Sequence, residues 1–441
     1  MAHFVSVTDL PAGGERLEGS KLARARLILA AVAAVGLALS AYLFLFAGSG
    51  ASDSYAYSWL FGFYYFFSIA VGGLFWVLLH NATNSGWGIA VRRVFENISG
   101  LLPVMFILAI PFLFPHVQNA LWEWMAMHRQ AFGEVGGEVG VKQALYDKSY
   151  ENADFYLLYW KYGYLNMPAW VGRFAVFAFI LIGAATLLRR KSLAQDTEGG
   201  LQITFSMRTW ACILLLPFAI SATLFAVDTL KTLDHTWFST MWGVYLFAGS
   251  AWASMTVAIV TVLWLRHTGH LKNVVTNEHL HVMGKLLFAF TVFWAYIAFS
   301  QFFLIWYANM TEETRFFLLR NTEGWNIASL ILVFGHFAVP FLLLLPAWSK
   351  KHPGYMTGVA AWIFLMHALD HYMIVIPERG PTLTKASGDP QLLISGAWMG
   401  DIIAFVTIGA IATWWFLGLL TKSSLYPCRD PRLQESINLH N

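Results

Sequence analysis

The chain has 441 residues, of which 58% are apolar and 12% are charged. An ordinary soluble domain carries about 25% charged residues, so the composition excludes a water-soluble globular enzyme and indicates a protein of the lipid bilayer. The net charge of +3 points to no nucleic-acid partner, and two cysteines, Cys212 and Cys428, are too few for a disulfide framework or a four-thiolate metal site.

Ten apolar runs cover nearly the whole chain. Each is long enough to cross about 30 Å of hydrocarbon as a helix, which takes roughly 20 residues. We therefore predict an all-α, polytopic membrane protein with about ten transmembrane helices. Their expected positions are 27–46, 57–80, 92–113, 167–188, 207–229, 237–265, 281–308, 324–346, 354–376 and 397–420.

The basic residues set the expected orientation. If the N-terminus is cytoplasmic, most of the 28 lysine and arginine residues fall in cytoplasmic segments, as the positive-inside rule requires. We expect a protein of the bacterial inner membrane, with residues 1–26 and the tail 421–441 in the cytoplasm. The first run follows a basic stretch but is longer than the apolar core of a signal peptide, so it predicts an uncleaved anchor.

A long polar segment, residues 115–166, separates the third and fourth runs and is periplasmic in this orientation. Its stretch from Leu121 to His128 is amphipathic, and a turn is expected around Gly136 and Gly137. Two interpretations stay open. Either a partner protein docks on this segment, or the segment is a loop that lies on the lipid headgroups.

A weak internal repeat divides the apolar runs into two groups. The second run opens with the letters FGFY at Phe61 and the sixth opens with WGVY at Trp242, at the same expected membrane surface. Repeats of this kind are common in membrane proteins and often place sites within the repeated units. We predict two four-helix bundles, 57–229 and 237–376, flanked by the first and tenth helices.

Several ionisable side chains fall within the apolar runs, where each costs at least about 2.5 kcal/mol on insertion scales. His367, Asp370 and His371 are spaced by three and four residues and therefore share one helix face. Histidine beside a carboxylate is a suitable acceptor for the protons of a hydroquinone. Such groups are also found as wetted interface residues. Further ionisable groups expected at a similar depth are Asp228, Asp234, His235, Asp401 and Arg173.

Polar residues also occur nearer the expected cytoplasmic side. Arg92 and Arg93 precede Glu96 by four and three residues, which allows an intrahelical ion pair. With His336 in the middle of the eighth run, these groups suggest a discontinuous polar path across the membrane, in which water bridges the gaps. Polar contacts that hold helices together are the alternative. The seventh run contributes one polar stripe, formed by Lys285, Tyr296, Ser300 and Tyr307.

Two stretches carry a resemblance to a known family. Residues 279–309 read HLHVMGKLLFAFTVFWAYIAFSQFFLIWYAN and are followed by Glu312-Glu313-Thr314, and residues 235–250 read HTWFSTMWGVYLFAGS. Both look like the NrfD/PsrC-like integral membrane subunits of alternative complex III, of the type called ActF. The resemblance covers all ten runs in layout, and its specific part is 279–314.

The resemblance implies a subunit of a bacterial quinol:cytochrome c or quinol:oxidase oxidoreductase that holds no haem or cluster itself. It implies two four-helix bundles and a role in proton translocation, with menaquinone or ubiquinone as the candidate quinone. The implied partners are a multihaem cytochrome c, an iron–sulfur subunit related to molybdoenzymes, a sister NrfD-like subunit, small membrane anchors, lipid and a terminal oxidase.

On this basis the candidate residues form two sets. The expected proton path comprises His367, Asp370, His371, His336, Glu96 and Lys285, and the expected quinone or proton-exit region comprises His235, Asp228, Arg173 and Asp401. No metal site is expected. Two other functions stay open: an ion-coupled secondary transporter, which would use the intramembrane charges, and a scaffold without a site.

Overall fold

The computed structural model describes residues 5–135, 140–150, 152–322, 324–387 and 397–440, with side chains except at 134–135 and 381–387. The chain is helical, and the described residues contain no strand. Ten of the helices are long and apolar enough to cross a membrane. The prediction of an all-α, multi-pass membrane protein is confirmed.

We number the ten spanning helices α1 to α10. Each overlaps one predicted run, and several begin earlier or end later because their polar ends continue the helix beyond the apolar part. Their bounds are α1 Gly19–Leu45, α2 Ser49–Ala82, α3 Arg92–Leu113, α4 Met167–Glu198, α5 Leu201–Leu233, α6 Trp242–His267, α7 Asn277–Ala308, α8 Trp325–Leu344, α9 Pro353–Gly380 and α10 Ala397–Leu420.

The start of α6 differs from the predicted position 237. Asp234 accepts hydrogen bonds from the backbone N–H groups of Thr236 and Trp237, at 3.0 and 3.3 Å. This side-chain turn competes with helix formation, so α6 begins only at Trp242. The spanning part of α9 ends at Gly380, but the same helix continues without a break to Ser387.

Helices α2 and α6 form the centre of the molecule. Both are apolar on all sides and almost entirely buried, as expected for helices surrounded by other helices. They approach closely at Gly72, where an added Cβ would collide with the backbone of Ser250. The indole of Trp76 also donates to the carbonyl of Ala251 at 2.9 Å.

The other helices surround this pair. α2 contacts α3, α5, α6, α9 and α10, whereas α6 contacts α7 and α9, α4 packs on α5, and α1 packs on α10. Because α2 packs on helices of both predicted groups, the division into bundles 57–229 and 237–376 stays a prediction.

The two ends of the chain meet at one surface, which we call the terminal side. The backbone N–H of Val5 donates to Asn438 at 3.1 Å, and that of Leu425 donates to the carbonyl of Glu15 at 2.8 Å. An even number of crossings requires the ends to share a side. The structure therefore agrees with ten crossings, and the cytoplasmic location of this side stays a prediction.

A buried ionic network lies on the terminal side. Arg92 and Arg93 both approach Glu96, at 3.3 and 3.5 Å, as their spacing predicts. Arg92 also pairs with Asp430 of the C-terminal tail at 3.0 Å, and Arg93 pairs with Asp196 at 2.6 Å. The network thus joins α3 to the end of α4 and to the tail.

Segment 115–166 is largely helical rather than an extended polar loop. Its helices are Pro115–Leu121, Glu123–Val135, Val141–Lys148 and Ala153–Lys161. The amphipathic stretch buries Trp124 and His128, and the indole of Trp122 donates to the carbonyl of Thr229 at 3.1 Å. This segment therefore packs on the end of α5, while Gly136 and Gly137 lie outside the described residues.

We predict that the tail stabilises the membrane part through Asp430. Replacing Asp430→Asn leaves the buried Arg92 without one of its carboxylates, and a lost hydrogen bond to a charged group costs about 1.5–3 kcal/mol. A thermal-unfolding measurement in detergent should show a lower Tm. The control is Glu435→Gln, which removes an exposed ion pair with Arg432 and should leave Tm nearly unchanged. If the Asp430→Asn and Glu435→Gln variants had the same Tm, the prediction would be contradicted.

Acidification should loosen segment 115–166 through His128. Burial, then the charges of His235 and Arg129, lower the pKa of His128 from 6.5 to about 4. The folded protein therefore prefers the neutral ring, and this contribution to stability is complete above pH 6.5 and lost as the pH falls toward 4. We expect Tm to decrease between pH 7 and pH 5, and less so in His128→Phe.

The control for this experiment is His352→Phe, since His352 is exposed at the start of α9. That variant should keep the full pH dependence of the parent protein. An unchanged pH dependence in His128→Phe would show that other groups are responsible.

Candidate functional site

Two helices, α8 and α9, bring histidine and carboxylate side chains together near the middle of the bundle. His367, Asp370 and His371 of α9 face His336 of α8, and all four side chains are buried. The Nε2 atom of His336 lies 4.0 Å from Oδ2 of Asp370. The ring centres of His367 and His371 are 4.3 Å apart, and those of His336 and His367 are 6.4 Å apart. We call these four residues the central cluster.

Local backbone geometry places His336 in this cluster. The segment Val333–Ala338 forms a π-helical turn in the middle of α8. Pro340 follows it and has no N–H group, so the carbonyl of residue 336 lacks its usual α-helical donor. Wide turns of this type are rare and are frequently found at functional sites.

Aromatic residues from α6 and α7 enclose the cluster. The hydroxyl of Tyr245 donates a hydrogen bond to Oδ1 of Asp370. The rings of Trp252 and Trp294 pack against His336 with centre-to-centre distances of 4.3 and 3.8 Å. These three residues were not predicted as site residues, because nothing in a chain with 73 aromatic residues distinguishes them.

Helix α2 contributes a hydroxyl group to the same place. The Oγ atom of Ser68 lies 2.9 Å from Nε2 of His367. On α9 itself, Nδ1 of His371 lies 3.2 Å from the carbonyl oxygen of His367. These contacts fix the orientation of two of the three imidazole rings.

Several nitrogen atoms of the cluster have no hydrogen-bond partner within the described residues. They are both ring nitrogens of His336, Nδ1 of His367 and Nε2 of His371. Buried polar atoms are nearly always paired, and an unpaired one is costly in a low-dielectric interior. The arrangement is therefore suited to bind a proton, a water molecule or a small ligand.

A cavity of about 410 Å³ adjoins the cluster between α6, α7, α8 and α9. Asp370 and Tyr245 lie on its inner wall, and the remaining lining is mostly aromatic and aliphatic. Phe299 and Val333 line it and are exposed on the membrane-facing surface. A lipid-soluble molecule could reach Asp370 by this route, and the volume is within the range of small-molecule sites.

The wall of this cavity also contains a buried arginine. The guanidinium of Arg320 pairs with Glu378 at 3.0 Å and donates to the carbonyl groups of Met373 and Ile374, both at 2.7 Å. It lies over the ring of Phe316 at 3.4 Å. Arg320, which lines the same cavity as Asp370, therefore already has a carboxylate partner in Glu378. Asp370 forms no ion pair with a lysine or arginine in the described part of the chain.

His336, His367 and Asp370 also have the donor set of a divalent-cation site. One ligand atom from each lies within 4.8 Å of the others. Two imidazoles with one carboxylate suit zinc and similar ions. No metal site was expected from the sequence, in which His336 lies 31 residues before His367.

The residues expected to form a quinone or proton-exit region have separate partners. Asp228 pairs with Arg173 at 2.7 Å, which joins α5 to α4. Asp401 pairs with Arg379 at 2.8 Å, and His235 is buried beneath segment 115–166, where its carbonyl accepts a hydrogen bond from Lys161 at 2.7 Å. Asp228 and Asp401 are thus each held in an ion pair with an arginine, and a shared quinone or proton-exit region stays a prediction.

The inner residues of the expected proton path lie in two different settings. Glu96 is buried within the terminal-side network, paired with two arginines. Lys285 and Tyr296 are exposed on the surface of α7, so they do not line the interior that contains His336. Their shared stripe was predicted correctly by spacing, but spacing does not reveal which side of α7 faces the other helices.

Comparison with known proteins identifies no relative. No model of a protein family matches the chain, and no curated protein matches it. The resemblance to alternative complex III subunits remains an expectation from the sequence. The functional interpretation consequently depends on the central cluster and on the cavity beside it.

Proposed function

We propose that the chain is an integral membrane subunit of a bacterial respiratory quinol oxidoreductase, and that its central cluster accepts protons from a quinol bound in the adjoining cavity. The observation that carries this proposal is the cavity itself. It is apolar, it opens toward the membrane-facing surface, and it ends at Asp370 and Tyr245. A quinone has the matching chemistry, with a polar ring and a hydrocarbon tail.

In this proposal Asp370 is the first proton acceptor. Its Oδ1 atom accepts a hydrogen bond from the hydroxyl of Tyr245, and its Oδ2 atom lies 4.0 Å from Nε2 of His336. No lysine or arginine pairs with Asp370 in the described part of the chain, so no permanent ion pair fixes the charge of its carboxylate. Asp370 is thus a suitable general base for a quinol hydroxyl group.

His336 is the acceptor for the second proton. Oxidation of one quinol to quinone releases two protons and two electrons. One proton goes to Oδ2 of Asp370 and the other to an unpaired nitrogen of His336. The two electrons leave to a redox centre of a partner subunit, a haem or an iron–sulfur cluster. His367, close to His336 and to Ser68, is positioned to take the proton onward.

Ion-coupled transport is the second candidate function. It is favoured by the three ligand atoms of His336, His367 and Asp370, which lie within 4.8 Å of one another. In that case the cluster would bind a coupling ion or proton, and the cavity would bind an apolar transported molecule. Ion-coupled transport requires no redox partner, whereas quinol oxidation does.

We expect loss of quinol oxidation when the acceptor is neutralised. Asp370→Asn keeps the shape of the side chain but removes its basicity, and general-base catalysis contributes about 100-fold or more. Tyr245→Phe should give a smaller loss, because Asp370 would lose the hydroxyl that orients it. The measurement is electron transfer from a short-chain quinol to the acceptor in the assembled complex.

The matched control is Tyr296→Phe, since Tyr296 is exposed on α7 and does not line the cavity. This variant should retain full activity. Assembly is checked for every variant by co-purification of the partner subunits. Normal quinol turnover by an assembled Asp370→Asn complex would contradict the assignment.

Purification of the tagged chain from native membranes in mild detergent separates the two candidate functions. A respiratory subunit should co-purify with a c-type cytochrome and an iron–sulfur protein, visible in the reduced-minus-oxidised spectrum. A colourless, solitary protein would favour the transporter and contradict the respiratory assembly.

A further inference from the structure

A groove on a different surface of the bundle shares no lining residue with the cavity beside Asp370. It has a volume of about 580 Å³ and lies between α2, α3, α6, α9 and α10. Small residues, Ala360, Ala361 and Ala412, leave the space open, and Phe66 and Phe416 form part of its walls. A molecule that fits here must be apolar and narrow.

The groove is apolar even where its lining residues carry hydroxyl groups. Thr256 and Thr261 donate to the carbonyls of Trp252 and Val257 in their own helix, at 3.0 and 2.8 Å. Thr357 does the same toward Pro353 at 3.0 Å. The hydroxyl protons are thus used within the helices, and the groove offers mainly methyl groups and rings to its occupant.

The groove continues into a second cavity at the terminal side. This second cavity measures about 690 Å³ and shares Val260, Trp264 and Thr357 with the groove. Along α6 the two extend from Thr256 to His267. Eleven residues of α-helix rise by about 16 Å, which matches one leaflet of a hydrocarbon core about 30 Å thick.

Positive charge collects in the second cavity. Arg266, His267 and Lys272 line it, and its lining includes no carboxylate. Arg266 donates to the neutral side chain of Asn277 at 3.1 Å, and neither Arg266 nor Lys272 forms an ion pair with another described residue. Arg92, Arg173 and Arg379 of the bundle, by contrast, have carboxylate partners.

We propose that the connected cavities bind an anionic phospholipid. Its phosphate group lies between Arg266 and Lys272, and an acyl chain follows the groove along α6 and α9. Arginine and lysine provide the donors that phosphate prefers, and basic pockets between membrane helices at a headgroup surface are suited to anionic lipids. The cations at the terminal side match an anionic headgroup, and the apolar groove, about one leaflet long, matches an acyl chain. A phospholipid has both parts in one molecule.

Lipid binding to the purified protein tests the proposal. The delipidated protein is titrated in detergent with phosphatidylglycerol or phosphatidylcholine, and bound lipid is counted by native mass spectrometry. Phosphatidylglycerol should bind more tightly and raise Tm. Glycerol phosphate, which has the phosphate but no acyl chains, should bind far more weakly. Equal binding of the two phospholipids would overturn the proposal.

Two variants locate the bound lipid. Arg266→Gln with Lys272→Gln should weaken phosphatidylglycerol binding by about 25-fold, because each basic residue near an anionic headgroup contributes about five-fold. The matched control is Arg190→Gln with Lys422→Gln, which removes two exposed cations elsewhere and should leave binding unchanged. The same loss in both double variants would show unspecific charge attraction and overturn the site.

Ala361→Phe tests the groove without changing the charge. Ala361 is exposed in the groove wall, so a phenyl ring there should exclude the acyl chain while the protein still folds, which Tm verifies. Undiminished phosphatidylglycerol binding by this variant would contradict the acyl-chain position. A photo-crosslinker at Leu365 in native membranes should capture lipid, and capture of a polypeptide there instead would overturn the proposal.

Discussion

The lack of water in the hydrocarbon region is the constraint on which this structure depends. Every polar group placed there must find its partner within the protein. Most charged groups obey this rule toward the helix ends, where Arg92 meets Glu96, Arg173 meets Asp228 and Arg379 meets Asp401. The last two pairs join α4 to α5 and α9 to α10, helices that hydrophobic contact alone would not orient, because lipid competes equally for apolar surfaces.

The central cluster is different, because several of its buried polar atoms have no partner within the described residues. This difference is the reason to regard it as a functional site. Its imidazoles have nitrogens without partners, and its carboxylate is held by a neutral hydroxyl instead of a cation. Such an arrangement is costly for folding alone. It is suited to a site where protons arrive and leave, since a permanent ion pair would fix the charge of Asp370.

The sequence predicted those parts of the structure that follow from periodicity. Hydropathy located all ten helices, and spacing placed Glu96 beside its arginines and His367 beside Asp370 on one face. It could not predict which side of a helix faces its neighbours. Lys285 and Tyr296 were for this reason assigned to the interior, and the contact of Tyr245 with Asp370 was missed. Asp228 and Asp401 were grouped because the sequence places them at a similar depth in the membrane. A similar depth does not show whether two residues are neighbours, and each has a different arginine as its partner.

The ionic network of the terminal side has a consequence for how the chain is made. Arg92 emerges from the ribosome early and finds Glu96 within one helical turn. Its other carboxylate, Asp430, lies 338 residues further along. During synthesis the helices therefore enter the bilayer while this arginine is still incompletely neutralised. Asp430 lies beyond α10, so the pair with Arg92 forms only after all ten spanning helices have been made.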